Sequence, residues 1–365
     1  VKNSTKFITL VILTLLPFVL VELGLRLSGY HLEFPYEDDP DMGYVFQPNY
    51  KGPGPELYGM PRKIPLKINH LGFRGKETNV QKGKNITRIA VLGDSCTFGL
   101  GIEEEKTFPS LTEKMLNDHS RADQRFEVIN AGVPGYTSYQ GLQMLKKRVL
   151  PLNPDYIVLY FGWNDHWYTD RGITDQENFP EMRDYIAHRI QKNKKNPLRK
   201  LRLYQNLTDF LLRLQDSTRH NTVKPKPDKL VYRVPIPQYI QNLGEMITLA
   251  NQGGIPVLVI TPPHGFEKGN IPIDYLIENL MRRDDTLITL HQNYIESTRM
   301  VAQQKNAVLL DIAKFFAETD FTKLMEIDGI HPNTAGHRII AQEIGKTIRV
   351  LKNQRTLGDP VAHSP

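Results

Sequence analysis

An alternation running from Arg88 to Val350 constrains this chain more than any other feature. Five short apolar runs, RIAVLG (88–93), FEVINAG (126–132), YIVLYFG (156–162), PVLVITPP (256–263) and AVLLDI (307–312), close on or near Gly, Pro or Asp. They are rich in Val, Ile and Leu, as strands buried on both faces are. Helical patterns lie between and after them, at 108–119, 138–150, 236–253, 286–305 and 333–350. Pro109 falls in the first turn of the first helix, where its missing N–H costs little. Strand–helix alternation implies a parallel sheet with helices on both faces. The expected fold is a three-layer α/β/α domain over 86–352.

The chain has 365 residues, 40% hydrophobic and 24% charged, which suits a globular body of one large domain or two modest ones. A single cysteine excludes an intramolecular disulfide framework and a cysteine-rich zinc site. The net charge of +6 is modest. With no zinc-finger spacing, RNA-binding aromatic signature or internal repeat, no nucleic-acid partner is expected. No cluster has metal-ligand spacing and no glycine loop is built to cradle phosphate, so neither a metal nor a cofactor is expected.

Residues 1–30 read as a membrane segment. Phe7 to Val21 carry no charge, and Glu22 and Arg26 close the run. A spanning helix needs about 20 apolar residues, a length reached if Leu23 to Leu27 extend the run while Arg26 snorkels. An uncleaved signal anchor is the leading reading; a cleaved signal peptide and a buried helix stay open. Lys2 and Lys6 precede the run, while Glu33, Glu37, Asp38, Asp39 and Asp41 follow it. The positive-inside rule then leaves the N-terminus cytoplasmic and the body outside the membrane. Residues 31–85, rich in Pro, Gly and Tyr, read as short strands and turns, an irregular linker or small subdomain, with NHLGFRG a structural turn or else the rim of a site. An insertion at about 166–232 breaks the alternation. Lys and Arg crowd 189–202, and Leu198, Leu201, Leu203, Tyr204, Leu207, Phe210, Leu211 and Leu214 fall mostly on one helical stripe. It reads as a solvated basic helix, or else as a lid or membrane-surface element. Residues 353–365 read as a flexible tail.

In such a sheet, ligands bind beyond the C-terminal ends of the strands. Four strand ends carry polar groups: GDSCTFG with Ser95, NAGVPGYTS (130–138), GWND (162–165) and DGIHPN (328–333). Ser95 and Cys96 are adjacent, and either residue type can act as a nucleophile. Serine needs a base to take its proton, and ester cleavage needs donors for the oxyanion. His331 is the candidate base. Asp328, three residues earlier, is close enough in a turn to bond the other imidazole nitrogen and fix its tautomer.

The four blocks, in this order, resemble those of the SGNH (GDSL) hydrolase superfamily, in its membrane-anchored bacterial type. The resemblance implies a flavodoxin-like fold and a serine esterase or acylhydrolase working through an acyl-enzyme. Ser95 falls on the nucleophile, Asp328 and His331 on the Asp-x-x-His pair. The oxyanion donors fall on the Ser95 and Gly135 backbone N–H groups and the Asn164 amide. Cys96 stands where the family's name-giving motif has Leu and reads as a small buried hydrophobe pointing away from Ser95. The expected partner is an ester, of a lipid or an acylated glycan, with the membrane reached through the N-terminal helix. Two alternatives stay open: an O-acyltransferase or O-acetyl esterase acting on cell-surface polysaccharide, and a non-catalytic binding protein of the same fold.

Other residues have plainer expected roles. Asp94 holds its turn through backbone bonds, Asp165 and His166 anchor a loop, and His337 lies on the surface. Arg233 either meets an anionic substrate or forms an ion pair. His264 either lines the pocket or belongs to its loop.

Overall fold

The computed structural model describes residues 2–28, 35–55, 64–121, 123–169, 173–177, 198, 201–204, 207, 231–266 and 284–357. The charge run at 189–202 falls mostly outside them, as do Phe210, Leu211 and Leu214 of the apolar stripe.

The chain opens with α1 (Lys2–Leu27), followed by two short antiparallel pairs: β1 (Tyr36–Asp39) with β2 (Gly43–Phe46), and β3 (Lys51–Pro53) with β4 (Pro65–Lys67). The main domain then runs β5 (Ile86–Gly93), α2 (Ser95–Phe98), α3 (Phe108–Asn117), β6 (Arg125–Gly132), α4 (Ser138–Met144), β7 (Tyr156–Tyr160). The insertion contributes a small antiparallel pair, β8 (Tyr168–Thr169) with β9 (Val231–Tyr232). The domain resumes with α5 (Ile236–Gln252), β10 (Val257–Ile260), α6 (Asp284–Gln304), β11 (Val308–Leu310), α7 (Ile312–Ala317) and α8 (Thr334–Leu357).

All five predicted strands pair in one parallel sheet, in the order β11-β10-β7-β5-β6. Counted along the domain this is 2-1-3-4-5, the flavodoxin-like order, whose switch point lies between β5 and β7. Every residue of β7 is buried, because helices cover both faces. The helices α3 and α8 pack together, and α4 packs against α5, which packs against α6. Right-handed crossovers sort the helices this way.

Three expectations need correction, and one is narrowed. Of the two readings of residues 31–85, linker or small subdomain, the described part is not a free linker. Met42, Val45, Phe46, Tyr50, Leu66, Ile68 and Phe73 are buried in the same apolar core as the sheet. The helix expected at 138–150 stops at Met144 and continues as a π-turn over Leu145–Val149 and a 3₁₀ turn over Leu150–Leu152. The last helix continues through Leu357, into the expected tail. His337 is buried, 1% exposed. It lies one turn before Ile340 and Ala341, which continue with Ile344, Ile348 and Leu351 as the buried, inward stripe of α8. Its Nδ1 accepts the Phe108 N–H at 3.0 Å and its ring stacks on Phe108.

Candidate active site

The β5 strand ends at Gly93, and the chain turns at once into α2, so Ser95 sits at the C-terminal edge of the sheet beside the switch point. Asp94 caps α2 by accepting the Cys96 N–H at 2.9 Å. That satisfies an otherwise orphan helix donor, and it is the turn-holding role expected of Asp94. Arg74, from the predicted NHLGFRG turn, donates to the carbonyls of Phe98 (2.6 Å), Gly99 (2.8 Å) and Ile102 (2.6 Å). It thereby holds the loop that follows the serine. Asn69 organises that turn itself: its Oδ1 accepts the N–H groups of Leu71 and Phe73. On the other side, Gly132 lets β6 approach α2, since a Cβ there would lie 2.3 Å from the Phe98 nitrogen.

Ser95, His331 and Asp328 come together. The Ser95 Oγ is 2.8 Å from His331 Nε2, and His331 Nδ1 is 2.6 Å from Asp328 Oδ2. Asp328 Oδ1 accepts the N–H groups of Ile330 (2.9 Å) and His331 (3.0 Å). Burial works to raise the Asp328 pKa, but the His331 hydrogen bond, the imidazole charge and these backbone donors outweigh it, leaving Asp328 below its usual range. The loop is braced from β10: the Gly265 N–H donates to the Gly329 carbonyl at 2.8 Å.

Cys96 is buried and directs its sulfur at the Ile330 carbonyl, 3.5 Å away. Burial, with the charges of Asp94 and Asp328, pushes its thiol pKa well up, so the thiolate needed of a cysteine nucleophile is disfavoured.

The loops after β6 and β7 supply the remaining predicted residues. Gly135 has φ +83, in the left-handed region, and a Cβ there would meet the Tyr44 hydroxyl at 2.7 Å. Both counts require glycine. Asn164 Nδ2 lies 3.0 Å from the Tyr136 carbonyl and 3.3 Å from Asp94 Oδ2. The Asn164 amide therefore stands between the residue before the serine and the residue after Gly135.

Arg233 and His264 are part of the frame. Arg233 pairs with Asp175 at 2.8 Å, and donates to the Gly135 carbonyl (2.9 Å) and Gln140 Oε1 (3.2 Å). The ion-pair expectation thus describes it. His264 Nδ1 accepts the Phe266 N–H at 3.2 Å and its ring packs on Phe266 and His291. No hydrogen bond joins it to Ser95 or His331 among the described residues. Asp165 anchors its loop as expected, taking the N–H and the hydroxyl of Ser138 on Oδ1. His166 bonds His291, 2.9 Å between Nε2 and Nδ1, and burial takes its pKa down to about 3.

One residue that touches these loops escaped the sequence reading, Tyr44. It lies in no strand-end block. The only available signal for Tyr44 was its place just after the turn-forming DDPDMG.

The GDSL-like Lipase/Acylhydrolase family model matches residues 91–339. An arylesterase of Vibrio mimicus is 35% identical over 78 residues, which are 21% of this chain and 38% of that protein. The chain thus matches little more than a third of the length of that relative. Among solved structures, the lipase/acylhydrolase from Enterococcus faecalis is 20% identical with a TM-score of 0.45, covering 72% of this chain and 96% of that one. The psychrotrophic esterase EstA from Pseudoalteromonas sp. is 15% identical with a TM-score of 0.43, covering 73% and 99%.

Proposed function

Because the chain belongs to the GDSL-like lipase/acylhydrolase family, we propose that it is a serine esterase that cleaves carboxylic esters through an acyl-enzyme. The observation that carries this reading is the unbroken hydrogen-bond relay from Ser95 Oγ through His331 to Asp328, 2.8 Å and 2.6 Å. In this mechanism Ser95 Oγ attacks the acyl carbon while His331 Nε2 takes the hydroxyl proton. The carbonyl π-electrons move to oxygen. The N–H groups of Ser95 and Gly135 and the Asn164 amide are the donors assigned to that oxyanion. Collapse expels the alcohol, which receives its proton from His331. Water, deprotonated by the same imidazole, then attacks the acyl-Ser95 ester; the Ser95 Oγ–acyl bond breaks, the acid is released, and His331 returns the proton to Ser95 Oγ. Asp328 keeps the imidazole tautomer correct and stabilises the imidazolium.

The test sets the two adjacent candidates against each other. Ser95→Ala should abolish both hydrolysis of p-nitrophenyl butyrate and labelling by a fluorophosphonate, and Cys96→Ala should keep most of both. Labelling that survives Ser95→Ala and disappears in Cys96→Ala would reverse the assignment. Transfer of the acyl group to a sugar hydroxyl uses the same first half-reaction and differs only in the second nucleophile.

The proposal extends to location. The segment Thr5–Leu27 is long and apolar enough to cross a membrane, and lies exposed along its length. At its C-terminal end, Glu22 Oε2 accepts the Leu203 N–H at 2.8 Å. Leu198, Leu201 and Leu207, near that contact in sequence, are exposed. These features support a body held at the membrane by α1, and Lys2 and Lys6 ahead of the apolar run support the outer face for that body. Retention in the membrane pellet after a carbonate wash, with the body cleaved by protease added to spheroplasts, is the expected result. Release into the periplasm with a processed N-terminus would contradict it.

A further inference from the structure

The Gly135 N–H belongs to the same planar unit as the Pro134 carbonyl, and the two point in opposite directions. Whatever holds that carbonyl also aims that N–H. The Tyr44 hydroxyl donates to the Pro134 carbonyl at 2.7 Å. The next peptide is held as well, because Arg233 donates to the Gly135 carbonyl at 2.9 Å. The two side chains therefore fix the peptide planes on either side of Gly135, at a residue whose positive φ gives the backbone little help.

Both arms are firmly mounted. Tyr44 is on β2, whose hairpin is pinned to the domain by Tyr136 Oη donating to the Tyr44 carbonyl and Gln140 Nε2 donating to the Met42 carbonyl at 2.9 Å. Its ring meets those of Tyr36 and Tyr136 edge-on, at 5.2 and 5.3 Å. Burial raises the Tyr44 pKa, Arg233 opposes and Asp175 adds to the rise, to about 12. The phenol keeps its proton and stays a donor through any ordinary assay pH. Arg233 is anchored by Asp175, whose own Oδ2 also accepts the Thr137 hydroxyl at 3.1 Å.

We infer that Tyr44 and Arg233 are positioning residues for the oxyanion site, so that the catalytic unit includes the hairpin at 36–46 as well as the strand-end loops. This rests on the active-site reading above. A hydrogen bond to a peptide carbonyl polarises the whole unit and makes its N–H a better donor. That gain is largest when negative charge develops on the substrate oxygen, so its loss should appear in turnover more than in substrate binding.

The experiment uses the full chain and p-nitrophenyl butyrate. Tyr44→Phe keeps the ring and removes the one hydroxyl. Its kcat should fall roughly ten- to fiftyfold with KM changed less than about threefold. That is below the about 10²–10³-fold cost of deleting an oxyanion donor outright. Arg233→Lys keeps the charge facing Asp175 but lacks the planar fork, and should lower kcat in the same way. The rate of Ser95 labelling by a fluorophosphonate should fall in parallel. Tyr50→Phe, which breaks a bond from a neighbouring tyrosine to the Pro53 carbonyl, should leave kcat unchanged. Combining Tyr44→Phe with Asn164→Ala should be non-additive if both act on one oxyanion. A folded Tyr44→Phe with wild-type kcat overturns the inference, as does a loss matched by Tyr50→Phe. If Ser95→Ala keeps full activity, the active-site reading itself fails, a separate outcome.

Discussion

Two loops at the same edge of the sheet each bury an aspartate, and the two carboxyls are shifted in opposite directions. Asp328, before α8, meets three donors spread over both oxygens: the Ile330 and His331 N–H groups and the His331 ring. Asp165, after β7, has both of its donors on Oδ1, while Oδ2 is buried with no hydrogen-bond partner among the described residues. Both side chains are nearly inaccessible, 4% and 0% exposed. Burial pushes Asp165 up to about 7 against the Ser138 bonds and Arg233 charge that lower it, while Asp328 is held below its usual range. Asp94 lies between them. One oxygen takes the Cys96 N–H and the other the Asn164 amide at a long 3.3 Å, and its pKa reaches about 6. Burial is common to all three, so the donors on each carboxylate and the charges beside it, His331 above all for Asp328, set the direction of the shift.

The comparison predicts that only the fully bonded carboxylate matters for turnover. Asp328→Asn should lower kcat by roughly 10³–10⁴-fold, because an amide favours the wrong imidazole tautomer, while circular dichroism and the melting midpoint change little. A folded Asp328→Asn with unchanged rate would dissolve the distinction between the two loops.

Asp165→Asn should change kcat by less than about twofold and act instead on stability. The Asp165 carboxyl titrates near 7 when folded and near 3.9 when unfolded. Its contribution is fully present below pH 4 and is lost as pH rises through 7, because the unfolded chain releases the proton first. The asparagine variant has no such proton to lose. Its stability relative to the wild type should therefore increase by about 1.4 kcal/mol per pH unit between pH 4 and 7, measured by urea unfolding. Equal slopes for the two proteins would show that Asp165 is ionised in the fold.

The strands and the strand-end blocks were legible because their signals are local. A doubly buried strand shows as an unbroken apolar run, as in YIVLY. An Asp-x-x-His pair fits inside one turn, and the structure joins Asp328 to His331. His337 was misread although its signal was present: it continues the inward stripe of Ile340, Ala341 and Ile344. The burial of the hairpin at 36–46 was hard to read for a different reason. Its core residues Met42, Val45 and Phe46 are embedded in polar, turn-forming sequence, which looks the same whether or not a domain covers it.

Sequence alone determined the sheet's five strands and the closeness of Asp328 to His331, which are written in periodicity and short spacing. Ser95 and Gly135 were joined to that pair only through the order of the blocks that resemble the family's. Tertiary structure alone decided that Ser138 reaches Asp165, that the Asn164 amide reaches Asp94, that His331 reaches Ser95 and where the Tyr44 hydroxyl goes. Those contacts join residues 27, 70, 236 and, for Tyr44 to Pro134, 90 positions apart. A periodic pattern records which face of an element is buried, but not which partner will be found there. That depends on how the crossovers stack the helices on the sheet and bring the loops to one edge.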